Sequence, residues 1–550
     1  MNLLTAAQHL NAPELLAQNA NGNGPDFSLA TIDYVIVGLY ILGILTLGFW
    51  VGRGKKDAND FLLGGRIAIW PLVGFGLIAA NMSGTSYIGI AGAGYEEGIA
   101  VWNYEWMATL VLLFFALFVL PFYLRSKVNT MPEFLERRYD RRSRYVFSGF
   151  SVFTAMLIDS AGALFAGAIT LQLLFPDVSL GLLITILALL AGVYVILGGL
   201  RAVMITDTVQ GVLLLVAGTI IFVTLFLELG SWDAIRSAAP EDGFTVAPPA
   251  DDEFLPWPGI FTGVLWLGFY FWITNHVVVQ KVLAAKDINH GRWGALFAGV
   301  MQLPLLFLLV LPGVMGREIY PDIAEADQIW QALVFDYMPV GLRGLIFAAL
   351  VAALMSTLDS VLNGASSLVV NDFIKTRKRE FSDRALLIIS RVMIGVFMIV
   401  AALWAPVITE FETIVEYFQS FLGHITMPVV VIFLGGLFWS RGTRQAAFTT
   451  LLIGFPVGLV AFLTGEIFEL YELQFLYATG IMMLFSLILY VGISLMTPAP
   501  DTEGLEDVMW SKEHWHEETK ELNDLPLWQN PRVLSIVIAI VTVVSVVLLI

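Results

Sequence analysis

The residues with the densest chemistry lie in "LVAALMSTLDSVLNGASSLVVND", residues 350–372. Apolar residues dominate this stretch and no proline or charge run interrupts it, so it reads as a membrane helix. On that helix Ser356, Asp359, Ser360 and Asn363 recur at intervals of three and four and share one face, with Thr357 beside them. A carboxylate in hydrocarbon costs about 2.5–3.5 kcal/mol even on lenient insertion scales. Hydroxyls and a carboxylate on one face make an all-oxygen donor set, which suits a hard cation. Among abundant cations Na⁺ fits neutral oxygen donors best. The alternative is that these hydroxyls bond back to carbonyls of their own helix.

A second anomaly is "GLIAANMSGTSYIGIAGAGYEEG", residues 76–98, with six glycines and the polar group Asn81, Ser83, Thr85 and Ser86 in its middle. Glycines from Gly89 to Gly94 fit close helix packing through small residues. That account does not cover polar "NMSGTS" at mid-depth. Each Gly lowers helix propensity by about 1 kcal/mol relative to Ala, and Ser, Thr and Asn compete for backbone hydrogen bonds. A broken helix is expected here, because unwound backbone at that depth survives only where it lines a cavity or binds something. Its freed carbonyls would face the oxygen-bearing helix as a cation cradle.

The elements that must hold these groups follow from composition. The chain has 550 residues, 58% of them hydrophobic and 14% charged, against about 25% charged in soluble domains. It reads as an all-α polytopic membrane protein partnered by the lipid bilayer, with no nucleic-acid partner. Apolar runs of about 20 residues give fourteen candidate spans, from 32–52 to 532–550. With residues 53–66, 125–145, 199–202, 281–293, 373–391, 439–445 and 498–532 on the cytoplasmic side, 26 of the 29 Lys and Arg lie there. That bias satisfies the positive-inside rule. It predicts a multi-pass protein of the cell (inner) membrane with both termini external.

The net charge of −17 resides largely in loops 239–254, 317–328 and 499–524, which read as solvated faces; the two outer ones could also steer cations weakly. "HWHEE" (514–518) lacks a third ligand and is not the two-histidine zinc motif. There is no cysteine, which removes disulfides and thiolate sites. The polar N-terminus, 1–30, lacks the basic start of a cleavable signal. No nucleophile, zinc or nucleotide motif occurs within the spans, so the chain is not read as an enzyme.

Several ordered motifs carry a resemblance: "GGLRAVMITDTVQGVLLLVAG" (198–218), "AANMSGTSYIGIAGAGYEEGIAVWNYEWM" (79–107), "GLIFAALVAALMSTLDSVLNGASSLVVNDF" (344–373), "VVVQKVLAAK" (277–286) and "FLGGLFW" (433–439). Over roughly residues 30–550 the chain resembles the sodium/solute symporter family, with the sodium/sugar branch as its nearest likeness. The resemblance implies a five-plus-five inverted-repeat transporter core near 67–438, with repeats near 67–228 and 257–438 and broken first and sixth core helices. An external segment (1–30) and a flanking helix with its inner loop (31–66) would precede the core. Three flanking helices (439–550), with the acidic loop 498–532, would follow it. The break in the sixth core helix would fall in "GFYFWITNH" (268–276). A monomer would suffice for transport.

The same resemblance implies site residues. The common sodium site would use carbonyls of Ala79, Met82 and Ala353 with the hydroxyls of Ser356 and Thr357. A second Na⁺, held in some relatives, would fall on Asp207, Ser356, Asp359 and Ser360; Asp207 could instead pair with Arg201. Solute contacts would fall on Ser86, Glu105, Ala108, Asp159, Gly268, Gln302 and Gln419, with Phe271 as inner gate beside Trp272. Glu105 and Gln419 keep the sugar pattern, whereas Gln302 replaces a Lys, Gly268 an Asn, and Asp159 an amide. Glu105 could alternatively be an outer-interface residue near Trp102 and Trp106.

This pocket offers two carboxylates, two amides and a hydroxyl, and no Lys or Arg. An anionic solute would face Asp159 and Glu105 without compensation. A sodium-driven symporter of a small neutral polyhydroxylated solute, a sugar or polyol, fits best. An amine or amino-acid-like solute is the alternative, and a channel or solute sensor on the same fold is a further one.

Overall fold

The computed structural model describes residues 29–52, 66–128, 130–195, 200–241, 243–323, 325–374, 381–411, 413–501 and 503–550. The first half of the chain contributes α1 (Thr31–Gly52), α2 (Trp70–Asn81), α3 (Gly84–Glu97), α4 (Asn103–Phe114), α5 (Arg141–Leu174), α6 (Leu180–Val195), α7 (Leu200–Leu229), α8 (Trp257–Thr274) and α9 (His276–Leu283). Then come α10 (Ile288–Gln302), α11 (Leu306–Ile319), α12 (Leu342–Leu368), α13 (Asp383–Trp404), α14 (Ile414–Ile425) and α15 (Met427–Phe438). The last elements are α16 (Arg444–Ile467), α17 (Phe475–Met496), α18 (Lys512–Asn523) and α19 (Pro531–Val547). Among the described residues the only β pairing is one isolated parallel bridge, Ala68 to Ala285. The fold is all-α.

Six of the described helices are long and apolar enough to cross a bilayer, and nine if each bent pair counts once. The bent pairs are α8–α9 (47°), α10–α11 (43°) and α14–α15 (56°). Shorter apolar stretches such as Trp70–Asn81 and Pro531–Val547 occupy further expected spans.

The first expected break is present. α2 ends at Asn81, Met82 takes φ −85° and ψ 57°, and Ser83 caps α3 by accepting from Ser86 N–H. Gly84 sits where the break meets α12: a Cβ there would lie 2.5 Å from Leu354 Cγ and 3.1 Å from the Leu350 carbonyl oxygen. The glycines of α3 serve close packing, as a Cβ on Gly94 would lie 2.6 Å from the Val310 carbonyl oxygen. The second break falls at Asn275, whose side chain accepts from Val277 N–H at 3.0 Å and so restarts the helix as an N-cap.

α2 packs on α10 and α7, while α12 packs on α7, α1 and α5. The N-terminal end of α12 is tied to α1 by Asp33, which accepts from Arg343 Nε at 2.9 Å and from the Gly341 and Gly344 N–H groups at 2.6 and 3.2 Å. The acidic segment after α17 is more than a solvated face. Its helix α18 stacks Trp515 on Phe118 with centroids 5.2 Å apart, and its buried Glu518 binds both Arg292 and Arg532. The histidines of "HWHEE" serve α18 itself: His514 pairs with Ser511 and His516 with the Lys512 carbonyl.

Candidate solute and sodium site

One cavity of about 190 Å³ lies between the two broken helices, α4, α5, α7, α12 and α14. One water needs about 10–15 Å³ of such space, so the cavity suits a small solute. Of the residues expected to hold Na⁺, Ala79, Met82, Ala353, Thr357 and Ser360 line it. Across the break no backbone N–H reaches the carbonyls of Ala79 or Met82, so both are available to a ligand. Thr357 Oγ1 donates to the Ala353 carbonyl at 3.0 Å, the back-bonded arrangement, which leaves the hydroxyl's lone pairs open. Ser360 Oγ is buried and has no hydrogen-bond partner among the described residues. An oxygen donor set of this kind suits Na⁺. The side chains of Ser356, Asp359 and Asp207 lie outside the described residues. α7 nevertheless approaches α2 close by, since a Cβ on Gly211 would lie 3.9 Å from that of Ala79.

Of the residues expected to contact solute, Ser86, Glu105, Ala108, Asp159, Gly268, Phe271, Trp272 and Gln419 line the same cavity. Two π-helical turns help to present them. Asp159 lies in the turn Ala155–Ser160, and Phe271 and Trp272 lie in Tyr270–Thr274; such turns recur at functional sites. Phe271 meets Trp272 edge to face, with centroids 5.0 Å apart. Ser86 donates to the Asn81 carbonyl and so belongs to the break itself. Glu105 is 4% exposed, an interior residue of the cavity wall.

Gln302 stands behind the lining. Asn81 Nδ2 donates to Glu105 Oε2 at 2.9 Å and to Gln302 Oε1 at 2.8 Å, and Gln302 donates on to the Ala298 carbonyl at 3.2 Å. The chain Gln302–Asn81–Glu105 thus fixes the carboxylate against the break. Asp159 and Gln419 make no hydrogen bond among the described residues, so their oxygens and amide face the cavity uncommitted.

Tyr104, Thr154, Gln210 and Lys281 also line the cavity without a role in the sequence reading, and Asn81 and Asn275, read there only as parts of the two breaks, line it too. Lys281 corrects the expectation of a pocket free of Lys and Arg. It is buried, engaged by a neighbour, and ten residues beyond Phe271 along α8 and α9. It lies beyond the 47° bend that separates α8 from α9.

Comparisons with known proteins bear on the fold and the family. The model of the sodium:solute symporter family matches residues 61–454. Sodium/myo-inositol cotransporter 2 of Mus musculus is 31% identical over 551 residues, covering 89% of this chain and 80% of the relative. Sodium/glucose cotransporter 4 of Danio rerio is 29% identical, covering 92% and 84%. A solved structure of a Na⁺-coupled sialic acid symporter, substrate-bound and outward-open, superposes with a TM-score of 0.71 at 21% identity, covering 86% of this chain and all of that one. The helix order, the broken helix at Met82 and the matched family model lead to one conclusion: this chain belongs to the sodium:solute symporter family, whose members are multi-pass membrane cotransporters with Na⁺ as coupling ion.

Proposed function

We propose that the protein carries a small neutral polyhydroxylated solute, of the sugar or polyol class, inward with Na⁺ by alternating access. One observation supports this most: hydrogen-bonding groups of Glu105, Asp159 and Gln419 share a single cavity with the freed carbonyls at the Ala79–Met82 break. Carboxylates and carboxamides accept hydrogen bonds from hydroxyls, the Gln419 amide can also donate, and Phe271 and Trp272 offer ring faces. The relatives named above are cotransporters of myo-inositol and glucose, which agrees with that class.

In this reading Na⁺ sits on the carbonyls of Ala79, Met82 and Ala353 and the hydroxyls of Ser356 and Thr357. It joins the break to α12 and favours the outward-open state, and its release inward frees the solute. The proposed architecture is fourteen spans with both termini external, its core (67–438) formed by the inverted repeats 67–228 and 257–438. Rocking of one bundle against the other exposes the site alternately.

A second Na⁺ on Asp207, Asp359 and Ser360 is part of the proposal, supported by the buried, unpartnered Ser360 hydroxyl. Each Na⁺ crossing 100 mV contributes roughly 2.3 kcal/mol. Reversal potentials in proteoliposomes measure the ion-to-solute ratio. A ratio of two, falling to one in Asp359→Ala, is expected, and a ratio of one unchanged by that substitution removes the second site.

Asp159 favours one further reading. An uncommitted carboxylate in the cavity would suit an amine. Thermal unfolding of the purified protein with sugars, polyols and amines, in Na⁺ and in K⁺, separates the two classes: Na⁺-dependent stabilisation by polyols supports the proposal, and stabilisation by amines alone replaces it.

A further inference from the structure

A second cavity, of about 500 Å³, opens at the face that the proposed orientation makes cytoplasmic. It is enclosed by the end of the segment after α4, the loop before α10, and α18. Five cationic side chains line it: Arg66, Arg125, Lys127, Lys286 and Arg292. Three carboxylates, Asp287, Glu518 and Glu521, line it too. Two of these are committed elsewhere. Glu518 is held between Arg292 and Arg532, and Asp287 caps α10 by accepting from His290 N–H at 2.9 Å.

Of the cations, Arg292 is committed to Glu518, whereas the lysines are not. Arg66 is held in place by donating to the carbonyls of Lys127 and Val128, both at 3.0 Å. Among the described residues the ammonium groups of Lys127 and Lys286 reach no acceptor. The N-terminal turn of α10 also lines the cavity through Ile288 and Asn289, adding the positive end of a 15-residue helix. The chemistry recognised is therefore an anion with several oxygens, as on a phosphate.

The rim decides where that phosphate comes from. On one side Ile67, Ile69 and Trp70 are exposed beside Arg66. On the other, just beyond the lining residue Leu525, Leu527 and Trp528 are 73% and 71% exposed. Exposed aliphatic and Trp side chains at the ends of membrane helices sit at headgroup depth against lipid. A basic pocket between helices at the cytoplasmic face, flanked by such residues, fits a lipid headgroup. We propose that this cavity binds the phosphate headgroup of an anionic phospholipid of the inner leaflet, its acyl chains lying on the Ile67–Trp70 and Leu527–Trp528 rims. The bound lipid would pin α18 to the ends of α4 and α10.

Native mass spectrometry of the detergent-purified full chain, titrated with phosphatidylglycerol and with phosphatidylcholine of the same acyl chains, tests this. The wild type should retain phosphatidylglycerol in preference, and Arg125→Ala with Lys127→Ala should lose roughly tenfold or more of that affinity. Should the double variant show a lowered unfolding midpoint, Lys286→Gln alone, whose ammonium reaches no acceptor among the described residues, must still weaken retention. Equal retention of the two lipids, or a preference that survives these substitutions, overturns the proposal. So does binding of inorganic phosphate without any preference for phosphatidylglycerol, since the pocket would then serve a free anion.

Discussion

Asn81 Nδ2 donates to Glu105 Oε2 at 2.9 Å, so the last residue of α2 before the break is joined to a carboxylate 24 positions further along the chain. Through its second bond, to Gln302 at 2.8 Å, Asn81 also reaches α10. Three helices, α2, α4 and α10, are therefore joined through one amide, and Glu105 is coupled to the break that carries the proposed sodium carbonyls.

Asn81→Ala removes that amide and leaves two buried acceptors without their donor. An unsatisfied buried group costs about 1–3 kcal/mol, which is roughly 5- to 150-fold in an equilibrium constant. Uptake kinetics should show a KM raised within that range. Gln302→Ala should act in the same direction more weakly, because Gln302 stands behind the lining. A wild-type KM in Asn81→Ala would mean that Glu105 is held without its partner.

Gly84→Ala tests the seat of the break on α12. The added Cβ would meet the side chain of Leu354 and lie 3.1 Å from the Leu350 carbonyl oxygen. Leu354 can turn aside, but the backbone of α12 cannot, so the break must move away from Ala353 and Thr357. The half-saturating Na⁺ concentration for uptake should rise about tenfold, while solute affinity measured by counterflow at saturating Na⁺ changes little. The reverse pattern would place Gly84 in solute recognition.

The sequence made much of this site legible, for physical reasons that operate locally. "NMSGTS" fails as a helix on its own propensities, and the break falls at Met82 and Ser83. The polar face of 350–372 follows from helical periodicity, which α12 preserves as far as Leu368. The illegible parts depend on contacts between distant segments. Nothing near Gln302 indicates that it supports Asn81, and nothing near Lys281 indicates that the second break turns it into the cavity. The same holds for Glu518. Its neighbours read as a solvated acidic loop, while its two arginine partners come from residues 292 and 532. The π-helical turn that carries Asp159 adds a residue to the helical phase, which a strict 3.6-residue period cannot anticipate.

Asp159 discriminates the two solute classes. Asp159→Asn keeps a hydrogen-bonding side chain and removes the charge. For a polyhydroxylated solute, KM should change by less than about tenfold, since an amide still pairs with hydroxyls. For an amine, uptake should collapse, because truncating one partner of a buried charge pair costs about 2–5 kcal/mol. Competition by amines against labelled solute, measured in both proteins, gives the comparison.

Asp33 and Arg343 supply a stability prediction remote from the site. Asp33 is wholly buried and satisfies Arg343 together with the N–H groups of Gly341 and Gly344. Gly341 has φ +90°, a turn that glycine adopts without strain and that presents its N–H to Asp33. Breaking a buried ion pair by removing one partner costs about 3–5 kcal/mol. Asp33→Ala should lower the thermal unfolding midpoint in detergent clearly, whereas Arg343→Lys should lower it less. Equal midpoints in wild type and Asp33→Ala would show that the link between α1 and α12 carries no weight.

The central claim, a Na⁺ gradient spent on concentrating a neutral polyhydroxylated solute, is tested most directly by accumulation in proteoliposomes. Purified protein is reconstituted with an inward Na⁺ gradient or an equal K⁺ gradient, and the internal level of labelled myo-inositol or glucose is followed. The account predicts that at least one of the two rises above its external concentration with Na⁺ only, and that Ser356→Ala with Thr357→Ala, folded by its unfolding midpoint, abolishes the rise. Equilibration without accumulation, identical uptake in K⁺, or normal Na⁺-driven accumulation by the double variant would contradict it.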